Sequence, residues 1–154
     1  MNLHGLEFPA ALRYAPGHGL WLREEADGTL TLGLNAYGCA LYGEIFAFTP
    51  KRVGARIERE RSFGVVEFAK AAASARSPLA GELLAVNPHV LERPGLINRD
   101  CYGAGWMIRL RPDDWPDVRD AFPVGEHALA ALAEQMRLDN FDPDNRHVQA
   151  LKWK

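Results

Sequence analysis

The stretch that most constrains the fold lies at residues 64–82, where an apolar run leads to a single lysine, Lys70. Small residues follow that lysine, and a Ser-Pro pair then leads into a second apolar run at residues 81–86. This pattern predicts two antiparallel strands joined at an exposed tip that presents Lys70, with residues 81–86 as the return strand. The other lysines lie in different settings: Lys51, Lys152 and Lys154.

Length and composition indicate one domain with a hydrophobic core. The 154 residues are 47% hydrophobic and 25% charged, with a net charge of −2, as is usual for a globular protein. Such a small net charge does not predict nucleic-acid binding. No apolar run reaches the roughly 18–20 residues of a membrane-spanning helix, and the N-terminus resembles no signal peptide. We therefore expect a cytoplasmic monomer with neither a nucleic acid nor a membrane as partner.

Alternating apolar and polar residues, separated by turns, predict a mainly β fold. Asn35 is expected to cap a short helix over residues 36–41, because its side chain can accept a hydrogen bond from an unpaired backbone N–H. Residues 1–19 are expected to be irregular, and the charged residues 56–61 to form a solvated connection. Further strands are expected at residues 20–23, 30–34, 44–48 and 106–111.

The C-terminal part of the chain has a different pattern. Residues 126–137 carry apolar side chains at helical spacing, and this stripe fits either a sheet of the same chain or a partner. We expect residues 1–116 to form the β domain with its N-terminal extension. Residues 117–154 are expected to form a helical extension packed on or beside that domain. The stripe consists of Leu129, Leu132, Ala133 and Met136.

The spacing of motifs in the sequence predicts no catalytic site and no metal site. The five histidines are dispersed and the two cysteines are far apart in sequence, so no zinc site is expected. Glycine motifs for a nucleophilic serine or for phosphate binding are absent. Cys39 and Cys101 are expected to be free thiols in packed positions. Either becomes a candidate redox residue if it is exposed near the tip, and neither has a histidine placed by sequence to activate it.

Lys70 is the one candidate with a chemically suggestive setting. An isolated exposed lysine is ordinarily a solvated charge. At a tight tip flanked by Ala69 and Ala71, however, its amine has no bulky neighbour. Such a lysine suits covalent attachment of an arm, because small neighbours leave the arm free to swing and acylation removes the charge.

Three segments carry a family resemblance. Residues 63–71 (FGVVEFAKA) and 77–83 (SPLAGEL) are similar to the lipoyl-lysine hairpin of the glycine cleavage system H protein family. Residues 96–106 (LINRDCYGAGW) resemble that family's LVNxDPYGxGW segment. The resemblance runs in unbroken order over residues 14–115.

The resemblance implies a barrel-sandwich hybrid, with two small antiparallel sheets face to face and helices at the periphery. It implies a non-catalytic carrier with lipoate bound covalently to Lys70 by a lipoate ligase or a lipoyl transferase. Glu67, Ala69 and Ala71 would serve ligase recognition and the geometry of the tip. The arm would carry an aminomethyl group among the glycine cleavage P, T and L proteins, the last of which is the dihydrolipoyl dehydrogenase.

Departures from the family pattern leave the partners open. The family commonly has Ser-Asp shortly after its lysine, whereas this chain has Ser74 followed by Ala75 and Arg76. Residues 48–54 (FTPKRVG) add two positive charges to a turn, and Cys101 replaces a proline. These features resemble lipoate-binding carriers of a heterodisulfide-reductase-like (Hdr-like) sulfur oxidation complex. A sulfur carrier for that complex and a non-lipoylated interaction module are therefore the alternatives.

Overall fold

The computed structural model describes residues 1–69 and 71–144 and has a mainly β fold, which confirms the predicted fold class. The described residues form the following strands in chain order: β1 (Asn2–Leu3), β2 (Leu6–Glu7), β3 (Arg13–Ala15), β4 (Leu20–Glu24), β5 (Leu30–Leu34), β6 (Ile45–Pro50), β7 (Arg56–Ile57), β8 (Ser62–Phe68), β9 (Ala71–Arg76), β10 (Gly81–Val86) and β11 (Ile108–Pro112). The helices among them are α1 (Ala36–Tyr42), α2 (Pro88–Glu92), α3 (Leu96–Arg99), α4 (Trp115–Val118) and α5 (Gly125–Leu138).

The strands form antiparallel sheets of different sizes. A six-stranded sheet has the order β3-β4-β5-β11-β10-β7, and a three-stranded sheet has the order β6-β8-β9. Strands β1 and β2 pair separately as a short ribbon. The two larger sheets correspond to the expected pair, although one of them is twice as wide as the other. None of the helices in residues 1–69 and 71–144 is long and apolar enough to cross a membrane.

The central core lies between the two larger sheets. Successive side chains of a strand point to opposite faces, so on β4 the side chains of Leu20 and Leu22 enter the central core while Trp21 points away from it. Phe63 and Val66 reach the same core from β8. This face-to-face packing of two inner faces is that of a β-sandwich.

A second cluster, the side core, covers the other face of the six-stranded sheet. Trp21 lies there fully buried, and Gly33 on β5 makes room for its ring, since a Cβ at Gly33 would be 2.8 Å from ring atoms. The predicted C-terminal helix is observed as α5, and Ala128, Leu132 and Met136 are buried in the side core. The apolar stripe of α5 therefore packs on this chain. Residues 145–154 lie outside the described residues.

The prediction that residues 81–86 form the return strand of the hairpin is wrong. β8 pairs with β9, directly after Lys70 in sequence, whereas residues 81–86 form β10 between β7 and β11 of the larger sheet. In β9, Ala73 and Ala75 are buried, and the residues that alternate with them are exposed: Ala72, Ser74 and Arg76. The alternation typical of a strand is thus present. Alanine and serine differ so little in size and hydropathy that the sequence pattern does not reveal it.

Two further segments differ from expectation. Residues 56–61, expected to be a solvated connection, begin with β7, whose Ile57 is buried while its neighbours are exposed. Residues 1–19, expected to be irregular, contain β1, β2 and β3. A single apolar residue among charges is too weak a signal to predict a two-residue edge strand. Asn35 caps α1 as predicted, accepting from Gly38 N at 2.8 Å.

Candidate functional site

Lys70 lies outside the described residues, so its surroundings define the candidate site. Phe68 on β8 is the partner of Ala71 on β9, which leaves residues 69 and 70 as the connection between the two strands. Two residues are the shortest common hairpin connection. Ala69 is exposed and Ala71 is half-buried. No side chain larger than a methyl group is therefore attached to the residues immediately flanking position 70.

An aromatic platform supports the strand ends next to position 70. The ring of Phe68 is buried and packs against Tyr42, the last residue of α1, with ring centroids 5.1 Å apart. Phe68 also pairs with Ile45 on β6. Burial raises the pKa of Tyr42 to about 12, so its phenol stays neutral at physiological pH. Apolar contacts thus join the strand ends to the central core, and these contacts do not depend on pH near neutrality.

Glu67 lies on the solvent side of the three-stranded sheet. It is exposed, and its strand partners are Ala47 on β6 and Ala72 on β9. Both strand partners of Glu67 are therefore alanines. Of the four residues predicted to form the tip site, the structure describes Glu67, Ala69 and Ala71 and brings them to one end of the sheet.

A groove beside β9, termed here the β9 groove, begins two residues after Lys70 in sequence. It has a volume of about 590 Å³. Ala72 and the following β9 residues line one side, while Gly17, Tyr42 and the α5 residue Gln135 line the others. Sequence reasoning missed this groove because its walls come from β9 and from other segments that are distant from it in sequence. The run of small residues after Lys70 was the signal that could have indicated open space.

Cys39 and Cys101 are distant in sequence but neighbours in the fold. Both thiols are free and half-buried. Hydrogen bonding between the two thiols, together with burial, raises the pKa of Cys39 well above its usual value. The same interaction lowers the pKa of Cys101, although burial opposes it. Neither cysteine lines the β9 groove. Their pairing could not be predicted from spacing.

Phe68→Ala should strongly destabilise the hairpin, because it removes a buried ring from the platform. Such truncations typically cost about 3–5 kcal/mol, which corresponds to a fall in Tm of roughly 10 °C for a chain of this length. The matched control is Phe46→Ala on the adjacent strand, where the ring is 57% exposed and a change below about 1 kcal/mol is expected. Thermal unfolding followed by circular dichroism measures both. Equal losses in the two variants would contradict the platform.

The chain is similar to proteins of known family. The family model described as Glycine cleavage H-protein matches residues 12–134. The glycine cleavage system H protein of Chromobacterium violaceum is 39% identical over 120 residues, which cover 78% of this chain and 93% of the relative. That of Opitutus terrae is 42% identical over 103 residues, covering 67% and 80%. The crystal structure of a glycine cleavage system H protein from Mycobacterium marinum matches with a TM-score of 0.62 at 26% identity, covering 68% of this chain and 86% of that one.

These similarities agree with the resemblance found in the sequence. The matched range includes all three segments that carried it, together with the platform and the strands on either side of position 70. They support a lipoyl carrier of the glycine cleavage system, and they give no support to a sulfur carrier or to a non-lipoylated module. The chain belongs to the glycine cleavage H-protein family.

Proposed function

We propose that the chain is the carrier of a glycine cleavage system and that Lys70 is its lipoylated residue. The observation that carries the proposal is the two-residue connection between Phe68 and Ala71, which contains the only lysine in residues 52–151. The carrier role follows from the family. The assignment to Lys70 follows from the position of that connection within the fold.

The surroundings of position 70 suit an acylated lysine. Ala69 and Ala71 leave the approach of a modifying enzyme unobstructed, and the exposed carboxylate of Glu67 is available as a recognition group. We propose that a lipoate ligase or a lipoyl transferase recognises these three residues. Because the platform holds both strand ends, the enzyme meets strands that are already paired on either side of position 70.

The β9 groove fits the body of a lipoyl arm. Its β9 wall consists of small side chains from Ala72 to Ala75 and ends at Arg76, and it lies beside the strand that follows position 70. When bound, the lipoyl group supplies a dithiolane that undergoes thiol–disulfide exchange and carries the aminomethyl group. The protein contributes the tether and the surface. Tethering gives the arm a high effective concentration at each enzyme to which the carrier binds.

The proposed partners are the P, T and L proteins of glycine cleavage, the last being the dihydrolipoyl dehydrogenase. We propose that this chain performs no catalytic step itself, and we expect a monomer in the cytoplasm. The division into a domain of residues 1–116 and an extension of residues 117–154 is also a proposal. The packing of α5 in the side core supports one part of that proposal, namely that the extension packs on the domain.

Lipoylation of the intact protein tests the proposal directly. After incubation with lipoate, ATP and a lipoate ligase, the intact mass should rise by the mass of one lipoyl group, which is lipoic acid less one water. Fragmentation should place the adduct on Lys70 and leave Lys51 unmodified. Lys51 is the internal control, because it is an exposed lysine that lies outside the hairpin connection. An adduct on a different lysine would overturn the site, and no adduct with either ligase or transferase would overturn lipoylation.

A further inference from the structure

Helix α1 lies alongside the segment of residues 97–102. At the start of the helix, the backbone N–H of Ala36 donates to the hydroxyl of Tyr102 at 2.8 Å. Just beyond its end, the side-chain amide of Asn98 donates to the carbonyl oxygen of Gly43 at 2.7 Å. The helix and the segment are therefore joined at both ends, and the residues between these contacts face each other.

The two cysteines of the chain lie within this contact. Cys39 is in the middle of α1, and its Sγ is 3.4 Å from the carbonyl oxygen of Ile97. Cys101 lies immediately before the residue that contacts the helix start. Its carbonyl oxygen accepts a hydrogen bond of 2.8 Å from the indole Nε1 of Trp21, which is fully buried. Packing thus holds the backbone on both sides, and the two thiols are close enough for each to shift the pKa of the other.

The contact makes the two thiols chemically unequal. A thiolate is the reactive form of cysteine, and hydrogen bonding from Cys39 lowers the pKa of Cys101. Cys39 is held in its protonated form by the same interaction and by burial. Cys101 is therefore suited to react first with an oxidant, and Cys39 is positioned to resolve the product.

We propose that Cys39 and Cys101 are a reversible redox pair that forms an intramolecular disulfide on exposure to hydrogen peroxide. The Cys101 thiolate attacks one peroxide oxygen, so that an S–O bond forms, the O–O bond breaks and hydroxide leaves, giving a sulfenic acid. The sulfur of Cys39 then attacks the Cys101 sulfur. The S–S bond forms, the S–O bond breaks and water leaves. In total, two thiols lose two electrons and two protons, and one peroxide becomes two waters.

The disulfide would close a loop that contains the whole three-stranded sheet. Residues 39 and 101 enclose β6, β8 and β9, together with position 70. The last residue of α1, Tyr42, packs on Phe68 of the platform. Oxidation would therefore link α1, which supports the hairpin through Tyr42, covalently to the segment after α3. This inference does not depend on lipoylation.

Oxidation of the purified full-length protein tests the pair. Treatment with hydrogen peroxide should remove two hydrogens from the intact mass and yield one cross-linked peptide that contains both cysteines. Iodoacetamide should then label neither thiol, and dithiothreitol should restore both. Tm should rise by roughly 5–10 °C in the oxidised form. Two thiols that remain labelled after oxidation, or a product that is a disulfide between two chains, would overturn the proposal.

Single variants test the order of reaction. Cys39→Ala should accumulate a sulfenic acid on Cys101 that dimedone traps, because the resolving thiol is missing. Cys101→Ala should leave Cys39 unreacted under the same conditions. Circular dichroism establishes that each variant is folded. Equal dimedone labelling of the two variants would contradict the assigned roles, even if the parent protein forms the disulfide.

Discussion

Lys70→Arg should greatly slow glycine cleavage by this carrier in a system reconstituted from P, T and L proteins. Arginine retains the positive charge, but a lipoate ligase forms its amide with the primary amine of lysine, which the variant lacks. The variant therefore carries no dithiolane, and any free lipoyl compound has to reach each enzyme by diffusion. We expect turnover to fall by roughly 100- to 10,000-fold, the gain that tethering typically supplies. Glycine-dependent reduction of NAD measures the rate.

Lys51→Arg is the matched control, because it makes the same substitution at a lysine outside the hairpin connection. It should be lipoylated and should support turnover at the rate of the parent protein. Free lipoamide at about 1 mM should restore part of the lost rate to Lys70→Arg, since effective concentrations of short tethers are of that order. Full turnover by Lys70→Arg without added lipoamide would exclude Lys70 as the attachment site.

The elements with strong apolar contrast were predictable from sequence. β4 and β5 carry leucine or tryptophan at most of their buried positions, and α5 repeats leucine, alanine and methionine at helical spacing. Burial of such residues contributes most of the driving force for folding, so their pattern records which side faces the core. The fold class followed from these elements.

β9 shows why the hairpin was only half predicted. Its buried residues are alanines, whose methyl groups differ little from the outward-facing Ala72 and Ser74. The small side chains that hide the strand pattern also open the β9 groove beside it. The same residues that make the site usable therefore make the strand difficult to recognise.

Long-range contacts were beyond the sequence signals. Cys39 and Cys101 meet because α1 and the segment after α3 pack together, which depends on the register of several strands. The walls of the β9 groove likewise come from separate segments. Spacing indicates which residues share a strand or helix, but it does not indicate which distant segments touch.

Gly81→Ala is expected to be among the most destabilising glycine-to-alanine substitutions in the described part of this chain. Gly81 lies on β10, opposite Pro112 of β11 and Ile57 of β7. An added Cβ would overlap the carbonyl oxygen of Arg111 and lie 3.0 Å from its carbonyl carbon. These are backbone atoms in a paired strand, so they cannot move aside as a flexible side chain would.

The requirement for glycine at position 81 is therefore one of space between strands. We expect a loss of about 3 kcal/mol or more, a large share of the 5–15 kcal/mol that typically stabilises a domain. Gly95→Ala is the control, because Gly95 has helical dihedral angles and a Cβ there would meet no atom within 4 Å. That variant should unfold at the urea midpoint of the parent protein or above it. If both variants share one midpoint, close approach of β10 and β11 is not what excludes a side chain from position 81.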